Sequence, residues 1–357
     1  MIVMNLELDN IYGFNDFRIN FSYPKKIVKS VIEEEHLTGR NMFRYKKAVI
    51  LMGANASGKT SIGKALRNIF VLLNEDNAFD MHSMVNNQKK GLFSIDFVNN
   101  GYVLHRVNGV IDPISKRVHT THYISDIGVN DSYENCVDKL VPCKSAESFN
   151  DLVGDIDYLF AYPGIEPALR FEGIKEKTMI KTLNAVLGTL DPSLKKIIRS
   201  SDLKDTYIIK RGDQEIIIQN GKLHDRELLS SGTIEGIDIS IMLASIMEGK
   251  KSFYYCDEHF SYIQSDIEKR IFGLMVSWLG PDEQLIFTTH NTDMLELNMP
   301  KHSFAFLRKV KENDEYKVSV VFASDILKRN TDSVRCALEN DVFGSLPDDT
   351  LLDKLEA

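Results

Sequence analysis

Apolar and polar positions along the chain alternate between two periods. Residues 2–8 alternate loosely and predict an opening strand, with a second over 16–22. A polar, charged stretch over 25–45, containing Glu33, Glu34 and Glu35, predicts a solvated insertion with some helix. Residues 48–52 form a short continuous apolar run between Lys47 and Gly53, the pattern of a buried strand. Ile62, Leu66, Ile69, Phe70 and Leu73 then recur at helical spacing, so a strand, a glycine-containing loop and a helix follow one another.

Short β-like runs fill 92–125, with Asn99, Asn100 and Gly101 as a turn between 93–98 and 102–107. Residues 130–200 read as more helical and are broken at Asp191-Pro192. Strands return at 207–210 and 215–219. A strongly apolar helix is predicted over 234–247, and buried strands at 252–256 and 284–288 flank a helix over 266–279. Strands alternating with helices imply an α/β core.

A chain of 357 residues fits one core with an inserted lobe. The expected organisation is a first part of the core over 1–75, a β extension and mostly helical inserted lobe over 76–225, and the rest of the core over 226–357. Hydrophobic residues at 43% and charged residues at 26% fit a globular chain with a large core. The net charge of -8 gives no whole-chain nucleic-acid footprint, which leaves only a local basic groove open. Cys136, Cys143, Cys256 and Cys336 are scattered too widely for a disulfide framework, so a reducing cytoplasm is expected. The close pairs Cys136/Cys143 and His119/His122 have no companion pair at zinc-site spacing and are set aside as metal sites. Neither a secretory leader nor an apolar run of the roughly 20 residues that span a bilayer is expected.

Four motifs carry chemistry. Gly53-Ala54-Asn55-Ala56-Ser57-Gly58-Lys59-Thr60 matches G-x-x-x-x-G-K-[ST] and lies between a buried strand and an apolar-striped helix, followed by Ser61. Glycines allow close backbone approach to phosphates, and the helix N-terminus offers unpaired N–H groups. Lys59 would reach the β- and γ-phosphates of ATP, and Thr60 would hold Mg²⁺. The apolar run ending in Asp257-Glu258 fits a Walker B strand, with Asp257 as a Mg²⁺ ligand and Glu258 as the general base. Ser230, Ser231 and Gly232 stand at the start of the apolar helix, a second position suited to phosphate though also an ordinary helix cap. His290 ends the strand over 284–288, where an imidazole could contact a γ-phosphate.

The order of these motifs resembles that of ABC-type ATPases: P-loop, signature, Walker B, switch histidine. The resemblance implies ATP and Mg²⁺ as cofactors and an ATP-dependent homodimer in which the P-loop of one copy faces Ser230–Ser231–Gly232 of the other. The stretch over 260–266 occupies the D-loop position but departs from the usual Ser-Ala-Leu-Asp, and Gln88 is the nearest Q-loop candidate. Asn10, Phe14 and Asp16 resemble the opening N-x-x-x-F turn of the RecF, SMC and OLD-type ATPases. The P-loop and signature stand too close in sequence for long coiled arms. Toward the C-terminus, 289–295 and 333–347, with Phe343-Gly344 and Pro347, resemble AbiL-type abortive-infection AAA ATPases.

That resemblance implies an anti-phage ATPase acting on a separately encoded toxin or nuclease. The residues after His290 are too few for the C-terminal nuclease domain of OLD proteins, so the effector is expected on a partner chain. The alternatives are a RecF-like DNA repair or recombination ATPase that binds nucleic acid, and an ATP-binding scaffold that does not hydrolyse.

Overall fold

The computed structural model describes the chain apart from residues 28–29, 76–80, 86, 145–148, 163–172, 204, 220–221, 313–314, 330, 348–354 and 356–357. The elements run β1 (Ile2–Asp9), β2 (Phe17–Asn20), β3 (His36–Leu37), β4 (Arg40–Arg44), β5 (Ala48–Gly53) and α1 (Lys59–Glu75). Next come β6 (Gly91–Val98), β7 (Val103–Asp112), β8 (Arg117–Asp126), α2 (Tyr133–Asp138), β9 (Val141–Pro142) and α3 (Phe149–Val153). Then follow β10 (Tyr158–Ala161), α4 (Glu176–Leu190), β11 (Lys196–Arg199), β12 (Thr206–Arg211), β13 (Gln214–Gln219) and β14 (Lys222–Leu223). The remainder is α5 (Ser231–Met247), β15 (Phe253–Asp257), α6 (Ser265–Trp278), β16 (Gln284–Thr288), β17 (Phe304–Glu312), β18 (Glu315–Phe322), α7 (Ala323–Ile326) and α8 (Val334–Glu339).

Two compact units share these elements: Met1–Ile156 with His290–Ala357, and Asp157–Thr289. In the first, β2-β1-β6-β7-β8-β9 form an antiparallel sheet. β7 alternates nearly residue by residue between buried and half-buried positions, as a strand with one covered face does. β5 is different. Ala48 to Met52 are all buried, which matches its parallel pairing with β17. β17 turns back into β18 as a long hairpin, Ala305 opposite Phe322 and Glu312 opposite Glu315. α1 buries Ile62, Ala65, Leu66, Ile69, Phe70 and Leu73 and exposes Lys64 and Arg67, so its apolar stripe follows the helical repeat.

In the second unit β10, β15 and β16 are parallel, and β11-β12-β13-β14 make a small antiparallel sheet. α5 is buried almost all round from Gly232 to Ile246, which is why its sequence shows no polar face. It packs on α4 at Gly236, where a Cβ would stand 2.6 Å from Leu190 and 2.8 Å from Leu187. Among the described residues of 76–225, α4 is the one long helix, and the other elements are the strands β6–β14 and short helices.

The stretch over 25–45 differs from its expectation of a solvated, partly helical insertion. Its described residues form β3 and β4 and no helix. Leu37, Phe43 and Tyr45 join Ile2, Met4, Val98, Leu104 and Tyr133 in one apolar cluster. Glu35 is buried, its carboxylate 2.5 Å from His302 Nε2, with the Tyr23 ring tilted against the imidazole at a centroid distance of 4.3 Å. A distant histidine therefore takes Glu35 out of solvent, while Glu33 and Glu34 stay exposed.

The large sheet also encloses a charged network. Asp96, fully buried, accepts hydrogen bonds from Arg106 Nε and Nη2, both at 2.6 Å, and from the Tyr133 hydroxyl at 2.5 Å. Burial pushes the Tyr133 hydroxyl pKa up, and the neighbouring carboxylate adds to the shift. Removing Arg106 would leave a buried carboxylate without its counter-ion. Arg106→Ala is predicted to lower unfolding free energy by about 3 kcal/mol, read by urea denaturation, whereas trimming the surface pair Lys210–Glu215 should change it by less than about 1 kcal/mol.

Candidate nucleotide site

The P-loop forms because β5 is buried and ends at Gly53, after which the chain must turn sharply into α1. Ala56 and Gly58 take positive φ, 60° and 105°. At Gly58 a side chain is excluded twice over: the φ disfavours it, and a Cβ would lie 2.6 Å from Phe14 Cζ. Gly53 is equally confined, with Ser57 Oγ at 2.6 Å and Leu307 Cβ and O at 2.9 Å from a Cβ placed there. Lys59 Nζ donates to the carbonyls of Gly53 at 2.7 Å and Ala54 at 3.2 Å, so the ammonium is held inside the loop's curve. Lys59 and Thr60 open α1, where the N–H groups of the first turn have no partner within the helix.

Asn10, Phe14 and Asp16, which suggested kinship with RecF and SMC proteins, each have a physical task beside this loop. Asn10, Tyr12, Gly13 and Asp16 all take positive φ and make a tight turn. Asn10 Nδ2 donates to Asn87 Oδ1 at 3.0 Å and to the carbonyls of Lys89 and Lys90. Asp16 pairs with Lys317 at 2.9 Å. Phe14, buried and packed on Phe17 with ring centroids 4.5 Å apart, becomes the floor under Gly58. Gln88, the Q-loop candidate, is exposed.

In the same unit His290 is exposed and lines an open cleft of about 990 Å³ with Gly53, Ala54, Asn55 and Ser57. The structure thus brings His290 and the first half of the glycine-containing loop to one cleft.

The second unit holds the other candidates. β15 and β16 are wholly buried, and their register places Asp257 opposite Thr288. The Thr288 hydroxyl donates to Asp257 Oδ1 at 2.7 Å and accepts the Glu258 N–H at 3.0 Å. Glu258 itself sits at φ 46°, a left-handed conformation that costs a residue with a Cβ and that clusters at functional sites. His259 Nε2 lies 3.1 Å from Asp238 of α5, both groups buried, so the Walker B strand and the signature helix are pinned together. Sequence reasoning assigned no role to Thr288, His259 or Asp238. The threonine two residues before His290 and an aspartate amid the apolar residues of α5 were the signals available.

Ser230 caps α5, its Oγ accepting from Thr233 N–H at 3.2 Å, while Ser231 is exposed at the first helical position. Gly232 leaves room for the Tyr262 carbonyl, which would be 2.7 Å from a Cβ, and Tyr262 N–H reaches Glu235 Oε2 at 3.4 Å. Burial raises the Glu235 pKa, opposed by nearby His259. The D-loop position is therefore anchored on the signature helix although its sequence is unusual.

Taken separately, the loop of the first unit offers a lysine and the Thr60 hydroxyl, and the second unit offers the Asp257 and Glu258 carboxylates, oxygen donors of the hard type Mg²⁺ prefers. No helix among the described residues is long and apolar enough to cross a membrane.

No protein-family model matches the sequence, and no curated protein is found as a relative. Solved structures do match. An SMC head bound to the C-terminal winged-helix domain of ScpA aligns over 92% of this chain and 100% of its own, with 14% identity and a TM-score of 0.55. An SMC head with an extended coiled coil, bound to the C-terminal domain of ScpA and derived from Pyrococcus furiosus, aligns over 91% and 97%, with 13% identity and a TM-score of 0.54. The recombination mediator RecF aligns over 88% and 97%, with 11% identity and a TM-score of 0.45. The fold is α/β and resembles that of the SMC heads, with the glycine-containing loop between β5 and α1.

Gly58→Ala is predicted to weaken ATP binding at least tenfold, since both the positive φ and the Phe14 ring oppose a Cβ. Equilibrium titration with a fluorescent ATP analogue measures it, and unchanged affinity would mean the loop does not need this shape.

Proposed function

We propose that this chain binds and hydrolyses ATP with Mg²⁺, dimerises on ATP, and acts as the control ATPase of an anti-phage system whose toxin or nuclease is a separate protein. The observation that carries the ATPase reading is the P-loop: Lys59 inside its curve, Gly58 held open against Phe14, and α1 starting at the same residues.

Within this reading Lys59 and the loop N–H groups bind the phosphates, and Thr60 and Asp257 are the Mg²⁺ ligands. Held there, the metal would supply neutralisation of phosphate charge. Glu258 orients and deprotonates the attacking water, its backbone fixed by Thr288. His290 contacts the γ-phosphate end. Ser230, Ser231 and Gly232 meet the phosphates of the second copy, which the exposure of Ser230 and Ser231 at a helix N-terminus supports.

The defence role draws on the likeness of 289–295 and 333–347 to AbiL-type proteins. Its closing segment is a packed part of this structure: Phe343 stacks on Phe306 with centroids 4.0 Å apart, and Gly344 turns the chain at φ 63°.

Glu258→Gln is predicted to cut hydrolysis at least a hundredfold while accumulating an ATP-bound dimer in light scattering. Adding Ser231→Arg should return that protein to monomer with ATP binding intact. Hydrolysis at the wild-type rate in Glu258→Gln would remove the assigned base, and an unaltered dimer with Ser231→Arg would remove the signature assignment. Affinity purification of Glu258→Gln from its native cells addresses the pathway: a stoichiometric effector supports the defence role, whereas bound DNA alone moves the chain to the repair alternative.

A further inference from the structure

The cleft that starts at Gly53–Ser57 extends well past the P-loop, and its far wall has a chemistry of its own. Along β17, Leu307, Lys309 and Lys311 share one face of the strand and line the cleft, while Arg308 on the other face bonds Ser319 Oγ at 2.7 Å. Tyr316, opposite Lys311 on β18, is 55% exposed and completes this wall, with Lys309 Nζ 4.9 Å from its ring centroid. Gly344–Pro347 also line the cleft, held in place by the Phe343–Phe306 stack and by Asp341 Oδ1, which accepts the N–H of Ser345 at 3.0 Å.

Two features distinguish this cleft. The described lining contains two lysines and His290 but no aspartate or glutamate, in a chain of net charge -8. At about 990 Å³ it is also as large as pockets that enclose a whole organic ligand, far larger than the end of a triphosphate needs. An exposed aromatic ring beside cations is the arrangement on which a base stacks while its phosphate is neutralised.

We propose that this cleft binds a second nucleotide unit, distinct from the ATP of the P-loop, with its phosphate on Lys309 and Lys311 and its base on Tyr316. The same chemistry serves a free mononucleotide or one unit of a single strand. The inference does not depend on hydrolysis, and its test uses the full chain without ATP so that it stands or falls apart from the ATPase reading.

The probes are a fluorescein-labelled oligodeoxythymidylate and AMP, each titrated into wild type, Lys59→Ala, Lys309→Glu/Lys311→Glu and Tyr316→Ala. At least one probe should bind wild type and Lys59→Ala alike. Its affinity should fall more than tenfold in the double lysine variant and about tenfold in Tyr316→Ala. For the oligonucleotide, loss of both lysines should also reduce the log–log salt slope by about 1.4. AMP that binds and displaces the oligonucleotide assigns the cleft to a mononucleotide; an oligonucleotide that AMP does not displace assigns it to a strand. An unchanged circular-dichroism spectrum and melting temperature of the double lysine variant check that it is folded. If neither probe binds wild type, or if affinity is unchanged in the folded double variant, the proposal is overturned.

Discussion

The contact on which the phosphate cradle depends is an aromatic ring pressed against a missing side chain. Phe14 fills the space in which a Cβ of residue 58 would lie. The loop therefore cannot relax toward an ordinary turn, and Phe14 cannot move without the strained turn that carries it. That turn is held by Asn10 to the chain around Asn87–Lys90 and by Asp16 to Lys317 on the β17–β18 hairpin. The opening residues of the sequence and its last hairpin thus both brace the loop.

The second unit shows a parallel economy. One threonine hydroxyl orients the Asp257 carboxylate and holds the Glu258 backbone, and the next residue, His259, is tied to the signature helix through Asp238. Glu258 is held in a costly backbone conformation by those bonds, with β15 and β16 rigidly buried around them. A rearrangement of α5 would be felt at the Walker B strand through a buried polar link rather than through apolar packing alone.

The strand, loop and helix over 48–75 were legible in the sequence because their requirements are local: β5 is a pure apolar run, α1 a clean helical stripe, and between them each glycine answers a backbone demand. The strands β15 and β16 were legible for the same reason. What could not be read depends on partners far away in sequence. Glu35 looks solvated until His302 is placed against it, and the stretch over 25–45 consequently looked like surface. Phe14 was noticed as part of a resemblance, yet its contact with Gly58 needs the fold. The lysines of β17 were invisible in an acidic composition because charge summed over a chain says nothing about one face of one strand. The defence role has no such local signature; it stands on the likeness of the closing segment.

The most direct test of the account is a calorimetric titration of the whole chain with ATP and Mg²⁺, beside Lys59→Ala. The expected result is an Mg²⁺-dependent ATP site, one per chain, that disappears when the Lys59 ammonium is removed from the loop, whatever binding the β17 cleft retains. Absence of binding to the wild-type chain, or equal binding by Lys59→Ala, would contradict it.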